Sequence, residues 1–143
     1  GFMMWQQVSQ QMDPMDCGAL LRRACLARDL TDAEVDGYRA PFPDESYLAG
    51  ARQFPLLVPT APDDPAVAAN RAAWEVWEHW TKPVLTLWAP GDIVLGHLQA
   101  AFRDRIPGAA GQPHATFEPG GHFLQDDRGE DVVAAVLDWM STM

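Results

Sequence analysis

Pro119-Gly120-Gly121-His122-Phe123-Leu124-Gln125 is the stretch on which the reading of this chain turns. A β-like run, Ala115-Thr116-Phe117, leads into it, and an amphipathic run from Asp131 to Met140 follows. Strand, glycine turn, histidine and helix, in that order, leave an imidazole at the carboxyl end of a strand. The two glycines let the backbone turn tightly and keep bulk away from the ring. Open α/β sheets place their chemistry at that edge. The competing reading is a loop histidine satisfied by a neighbouring carbonyl.

The sequence upstream bears on that choice. Val84-Leu85-Thr86-Leu87-Trp88 is the strongest strand signal, a nearly continuous apolar run such as a two-sided buried parallel strand carries. Pro83 begins it, Pro90-Gly91 ends it, and Asp92 sits just past the end. A helix over His97 to Arg105 and a Gly-rich loop over Pro107 to Gln112 follow. The last helix carries Val132, Val133, Val136, Leu137 and Met140, with Glu130 and Asp131 suited to its N-terminus. The second half therefore reads strand, Asp92, helix, strand, His122, helix.

The first half reads as helix throughout. Phe2 and Trp5 share a face if residues 1 to 12 are helical. A second helix is expected from Asp16 to Arg28, with Leu20, Leu21, Ala24 and Cys25 on one stripe. Thr31-Asp32-Ala33-Glu34 is a capping-box pattern opening a helix from Asp32 to about Tyr38. Another should start near Asp44 or Ser46 and end before Pro55. Pro59 to Pro65 reads as a loop and the best internal boundary. From Asp64-Pro65 a helix should reach Trp80, its Val67, Trp74, Trp77 and Trp80 forming a core stripe. Asp63 and Asp64 read as loop and cap residues, and His79, His97 and His114 as solvated or structural.

Bulk properties narrow the function. The chain has 143 residues, 48% of them hydrophobic, enough for a real core. Twenty acidic against ten basic residues give a net charge of −10. With no basic cluster, nucleic acid is excluded as a partner. No apolar run reaches the roughly 18–20 residues of a membrane helix. Cys17 and Cys25 lack metal-ligand spacing and read as reduced, largely buried thiols of a cytoplasmic protein. Two parallel strands alone would leave unpaired edges, so the chain reads as the end of something larger.

Asp92 after one strand and His122 after the next match the acid and base of an α/β-hydrolase triad. With Gly1-Phe2-x-x-Trp5, Ala40-Pro41-Phe42-Pro43-Asp44-Glu45-Ser46-Tyr47, Ala49-Gly50-x-Arg52-x-Phe54-Pro55 and Gly121-His122-Phe123-Leu124-Gln125, the chain resembles the haloalkane dehalogenases along essentially its whole length. The resemblance implies an α/β fold: the C-terminal part of an α/β-hydrolase, with a helical cap segment over 1–64 and the last two parallel strands with their helices over 65–143. It implies that His122 is the base that activates water and Asp92 the acid. Trp5 would be the cap tryptophan whose indole N–H holds the halide. Phe2, Phe54, Pro55 and Val58 would line the substrate cavity, with Val94 and Leu95 as apolar wall after the acid. The implied partners are a small halogenated alkane, the halide ion and water, and no cofactor is implied. The family's nucleophile, the halide tryptophan beside it and the oxyanion-hole segment precede the cap, so none is expected here. The chain should then be inactive by itself, a fragment, a truncated reading frame or one part of a split enzyme.

Two other readings stand beside this one. An epoxide hydrolase also uses an Asp nucleophile and relies on cap tyrosines, for which Tyr38 and Tyr47 are the candidates. A non-catalytic helical module would instead pair with an N-terminal half, or with itself, through exposed strand edges.

Overall fold

The computed structural model describes residues 1–143, which gather into two compact units. The first comprises Gly1–Arg23 and Leu30–Ala73, the second Ala24–Asp29 and Trp74–Met143. The division expected after residue 64 falls inside the first unit, and the short strap Ala24–Asp29 belongs to the second.

The first unit is helical. Helices α1 (Phe2–Gln11), α2 (Cys17–Ala24), α3 (Asp32–Arg39) and α4 (Ala49–Leu57) follow in order, with a 3-10 turn, Glu45–Leu48, ahead of α4. The capping box forms as written in the sequence: Thr31 Oγ1 accepts from the Glu34 N–H, and Glu34 Oε2 accepts from the Thr31 N–H at 2.7 Å. Asp16 Oδ1 accepts from the Ala19 N–H at 2.9 Å in the first turn of α2. Met15, Leu21, Leu30, Val35 and Leu48 are its buried apolar residues.

Helices α1 and α4 are joined by polar bonds. Gln6 donates to the Pro55 carbonyl (3.1 Å) and Gln10 to the Arg52 carbonyl (2.7 Å). In return the Arg52 guanidinium donates to the Ser9 and Met12 carbonyls at 2.9 and 3.0 Å, satisfying acceptors that the end of α1 leaves open. These bonds explain why α4 runs on through Pro55 instead of stopping before it. The proline removes one ladder bond, but the last turn is anchored from α1.

Helix α5 (Val67–Trp77) begins in the first unit and ends in the second. It buries no residue, so the tryptophan stripe is not the packed core expected. Trp80 lies beyond the helix, and the rings form two tilted aromatic groups instead. Trp74 sits 5.2 Å from Phe102 by ring centroids, Phe102 5.7 Å from Trp88, and Trp77 5.6 Å from Trp80. The Arg105 guanidinium lies 4.1 Å over the Trp74 ring.

The second unit holds the sheet, β1 (Leu87–Trp88) and β2 (Ala115–Thr116), parallel and paired Leu87 to Ala115 and Trp88 to Thr116. Strand β1 is shorter than its apolar run because nearby N–H groups go elsewhere. Val84 donates to the Gly108 carbonyl at 2.9 Å, and Thr86 donates to His114 Nδ1 at 3.1 Å. His114 is thus structural, its Nε2 donating to the Ala109 carbonyl at 2.8 Å. A 3-10 turn (Gly96–Leu98) and α6 (Gln99–Arg105) link the strands. After β2 come α7 (Leu124–Asp127) and α8 (Gly129–Met140). On α8 the half-buried stripe is Val132, Ala135, Val136 and Trp139, while Val133, Leu137 and Met140 are exposed. No helix is long and apolar enough to cross a membrane.

The Arg39 guanidinium, followed by the Ala19 N–H, lowers the Asp16 carboxyl to about 2. Its folded-state value lies below the unfolded one, so its contribution is present above pH about 4 and is lost as pH falls toward 2. The ion pair itself adds little, because both side chains stay more than a third exposed. Asp16→Ala should therefore cost about 1 kcal/mol at neutral pH through the lost cap. Urea midpoints of the two proteins should differ at pH 7 and draw together as pH falls toward 2.

Candidate active site

Asp92 and His122 follow the carboxyl ends of β1 and β2 and so share one end of the parallel sheet. The chain leaves β1 through a turn in which the Asp92 N–H donates to the Ala89 carbonyl at 3.1 Å. Gly91 is required there: a Cβ would stand 2.5 Å from the Gly120 carbonyl oxygen. His122 Nδ1 lies 3.0 Å from Asp92 Oδ1. The same oxygen accepts from the N–H groups of Val94 (2.8 Å) and Leu95 (3.1 Å), so Asp92 caps the following turn and faces the imidazole at once. Its side chain keeps 10% exposure, that of His122 32%.

Burial pushes the Asp92 carboxyl up, but the bonds from His122, Leu95 and Val94 together outweigh it and hold the carboxyl below its ordinary value. An ionised carboxylate opposite Nδ1 favours the ring proton there, the tautomer that leaves a lone pair on Nε2. The Phe123 ring meets the imidazole edge-on at 5.1 Å between centroids.

One residue that the sequence reading passed over holds this turn in place. Asp127 is 4% exposed, and its carboxylate accepts four backbone bonds. Oδ2 takes the N–H groups of Leu26 (2.7 Å) and Gly121 (2.8 Å), and Oδ1 those of Ala27 (2.7 Å) and Arg28 (3.1 Å). Burial pushes this carboxyl up too, and the four N–H bonds outweigh it. The His122 N–H in turn donates to the Ala24 carbonyl at 3.1 Å. These bonds correct the expected extent of α2. It stops at Ala24 instead of Arg28 because the next N–H groups belong to Asp127. No local pattern marks Asp127, whose partners Leu26 to Arg28 lie about a hundred residues upstream in sequence.

The other expected site residues divide between the units. Val94 is half-buried and Leu95 exposed beside Asp92 in the second. In the first, Phe2 and Trp5 are half-buried on α1, Pro55 is buried on α4, Phe54 is 72% exposed and Val58 exposed. Tyr38 and Tyr47 are both exposed. The chain's one Asp-Trp pair, Asp138-Trp139, lies near the end of α8, its indole N–H donated to Gln112 Oε1 at 2.8 Å.

No protein-family model matches the chain. Curated relatives do. It is 46% identical over 140 residues to a haloalkane dehalogenase of Psychrobacter cryohalolentis, covering 98% of this chain and 46% of that protein. A haloalkane dehalogenase of Mycolicibacterium paratuberculosis is 41% identical over 142 residues (99% and 46%), and one of Mycobacterium marinum 44% over 138 (96% and 46%). Among solved structures, the tetrameric haloalkane dehalogenase DpaA from Paraglaciecola agarilytica superposes with a TM-score of 0.83 at 25% identity, over 99% of this chain and 46% of that one. Parallel strands ending in an acid and a histidine, with this likeness, define the C-terminal part of an α/β-hydrolase fold. Within that class the chain is similar to the haloalkane dehalogenases along nearly its whole length. It spans about half the length of the relatives it matches.

A Cβ at residue 121 would stand 1.9 Å from the Ala24 carbonyl oxygen, a backbone atom with no freedom to swing away. Gly121→Ala should cost about 1–3 kcal/mol as an overpacked contact. It should also break the bond from the His122 N–H. A lowered melting temperature together with faster amide exchange at His122 would be the measured signs.

Proposed function

We propose that this chain supplies the base, the acid and one halide ligand of a hydrolytic haloalkane dehalogenase. The observation that carries the proposal is the 3.0 Å pair of His122 and Asp92, in a chain 41–46% identical to haloalkane dehalogenases. A carboxylate nucleophile from the rest of the enzyme attacks the halogen-bearing carbon in line. A C–O bond forms, the C–X bond breaks, and halide leaves with the electron pair. The Trp5 indole N–H donates to the departing halide, a task for a donor that is otherwise apolar. Phe2, Phe54, Pro55, Val58, Val94 and Leu95 contribute the apolar lining that a dry site for a halogenated alkane needs.

His122 Nε2 then takes a proton from water, whose oxygen adds to the ester carbonyl. Collapse breaks the bond between the acyl carbon and the alkoxy oxygen, and the alkoxide leaves as alcohol with the proton from His122. The regenerated carboxyl group releases the net proton. Asp92 holds the ring tautomer through Nδ1 and stabilises the imidazolium. The products are alcohol, halide and a proton. Without the nucleophile, the 143 residues alone turn over no substrate. The DpaA relative is described as tetrameric, and self-association of the whole enzyme is part of the same proposal.

Halide release from a short bromoalkane at neutral pH tests the reading. The complete enzyme should turn over many times and the isolated chain not at all. His122→Gln in the complete enzyme should release one equivalent of halide and stop, with the alkyl ester visible by mass spectrometry, because alkylation does not need the base. Undiminished turnover in that variant would leave His122 a loop histidine.

A further inference from the structure

We infer that Asp127 is a positioning residue for His122, acting through the strap Ala24–Asp29, an inference that rests on the dehalogenase reading above. Two consecutive backbone N–H groups, those of Gly121 and His122, set where the imidazole starts. The first is held by Asp127 Oδ2 at 2.8 Å, the second by the Ala24 carbonyl at 3.1 Å. Asp127 fastens that strap as well, through the N–H groups of Leu26, Ala27 and Arg28. One carboxylate therefore ties the histidine turn to the segment that carries its second anchor.

Only an ionised carboxylate has two oxygens able to accept all four bonds. A carboxamide of the same shape would turn an NH₂ group toward two of the four donors. The strap is also closed from its outer side: the Arg28 guanidinium donates to the Asp126 carbonyl at 2.9 Å and pairs with its carboxylate at 2.8 Å. At the turn itself there is no slack, since even a methyl group at Gly121 would strike the strap. The ring meets Asp92 at 3.0 Å from this backbone position. Loosening it misplaces Nε2 for the attack of water, while the alkylation step, which does not use the imidazole, is untouched.

The test is made in the complete enzyme that carries this chain. In Asp127→Asn the first-turnover burst of halide from a short bromoalkane should stay near one equivalent. The steady-state rate should fall roughly ten- to a hundredfold, as for a misplaced catalytic group, with alkyl ester accumulating. The ¹⁵N ring resonances of His122 should lose the pattern of a proton fixed on Nδ1. Asp126→Asn, which loosens the strap from the Arg28 side, should move both readouts the same way by a smaller factor. Asp64→Asn is the control, because Asp64 accepts backbone N–H groups of Thr60 and Ala61 in the first unit; it should move neither.

Wild-type steady-state rate and ring resonances in Asp127→Asn would overturn the inference. So would a burst and a steady-state rate that fall together with the folded fraction, which would make the role structural only. If Asp127→Asn does not fold, Asp126→Asn decides, and unchanged readouts there overturn the inference. A wild-type enzyme that releases no halide overturns the dehalogenase reading instead, and the ring resonances alone then decide this one.

Discussion

A single buried carboxylate, Asp127, gathers four backbone N–H groups from two stretches of chain about a hundred residues apart. Of those donors the Gly121 N–H is buried and would otherwise be an amide without a partner, at a cost of the order of 1–3 kcal/mol. The carboxylate would be costlier still to bury alone. Neither side is tolerable without the other, so the strap and the histidine turn form as a pair. That mutual requirement ends α2 at Ala24 and assigns Ala24–Asp29 to the second unit.

Asp92 solves a related problem with one oxygen. Its Oδ1 receives the Val94 and Leu95 N–H groups of the turn that follows β1, and also faces His122 Nδ1. The two local bonds immobilise the carboxylate independently of the histidine, which makes it a fixed reference against which a ring can orient. They also help keep it ionised despite its burial. Cap and partner for the imidazole are therefore one and the same role in physical terms: an oxygen held where donors converge.

Around these anchors the sheet is minimal. The run Val84 to Trp88 carries strand-forming side chains, yet two of its N–H groups are drawn away by the Gly108 carbonyl and the His114 ring. Propensity places a residue in extended backbone, but a ladder needs donors that have no better-placed acceptor. The tryptophans of α5 follow the same logic. Their spacing made a stripe, and the neighbours that Trp74 met were the Phe102 ring and the Arg105 guanidinium, not an enclosed core.

Features written in contiguous residues were legible in the sequence. The Thr31–Glu34 capping box, the helical first half, the two strands, and the acid and histidine placed after them all depend on neighbours within a few positions. The likeness to haloalkane dehalogenases was legible as well, because it runs along contiguous sequence. What the sequence could not reveal were the partners of backbone groups. The end of α2, the passage of α4 through Pro55, the shortness of β1 and the hold of Asp127 on the histidine turn were all decided by donors and acceptors that only the folded chain brings together. The reason is geometric. A side-chain pattern fixes which face of an element is apolar, whereas a hydrogen bond over a hundred residues is set by where the rest of the chain has already gone.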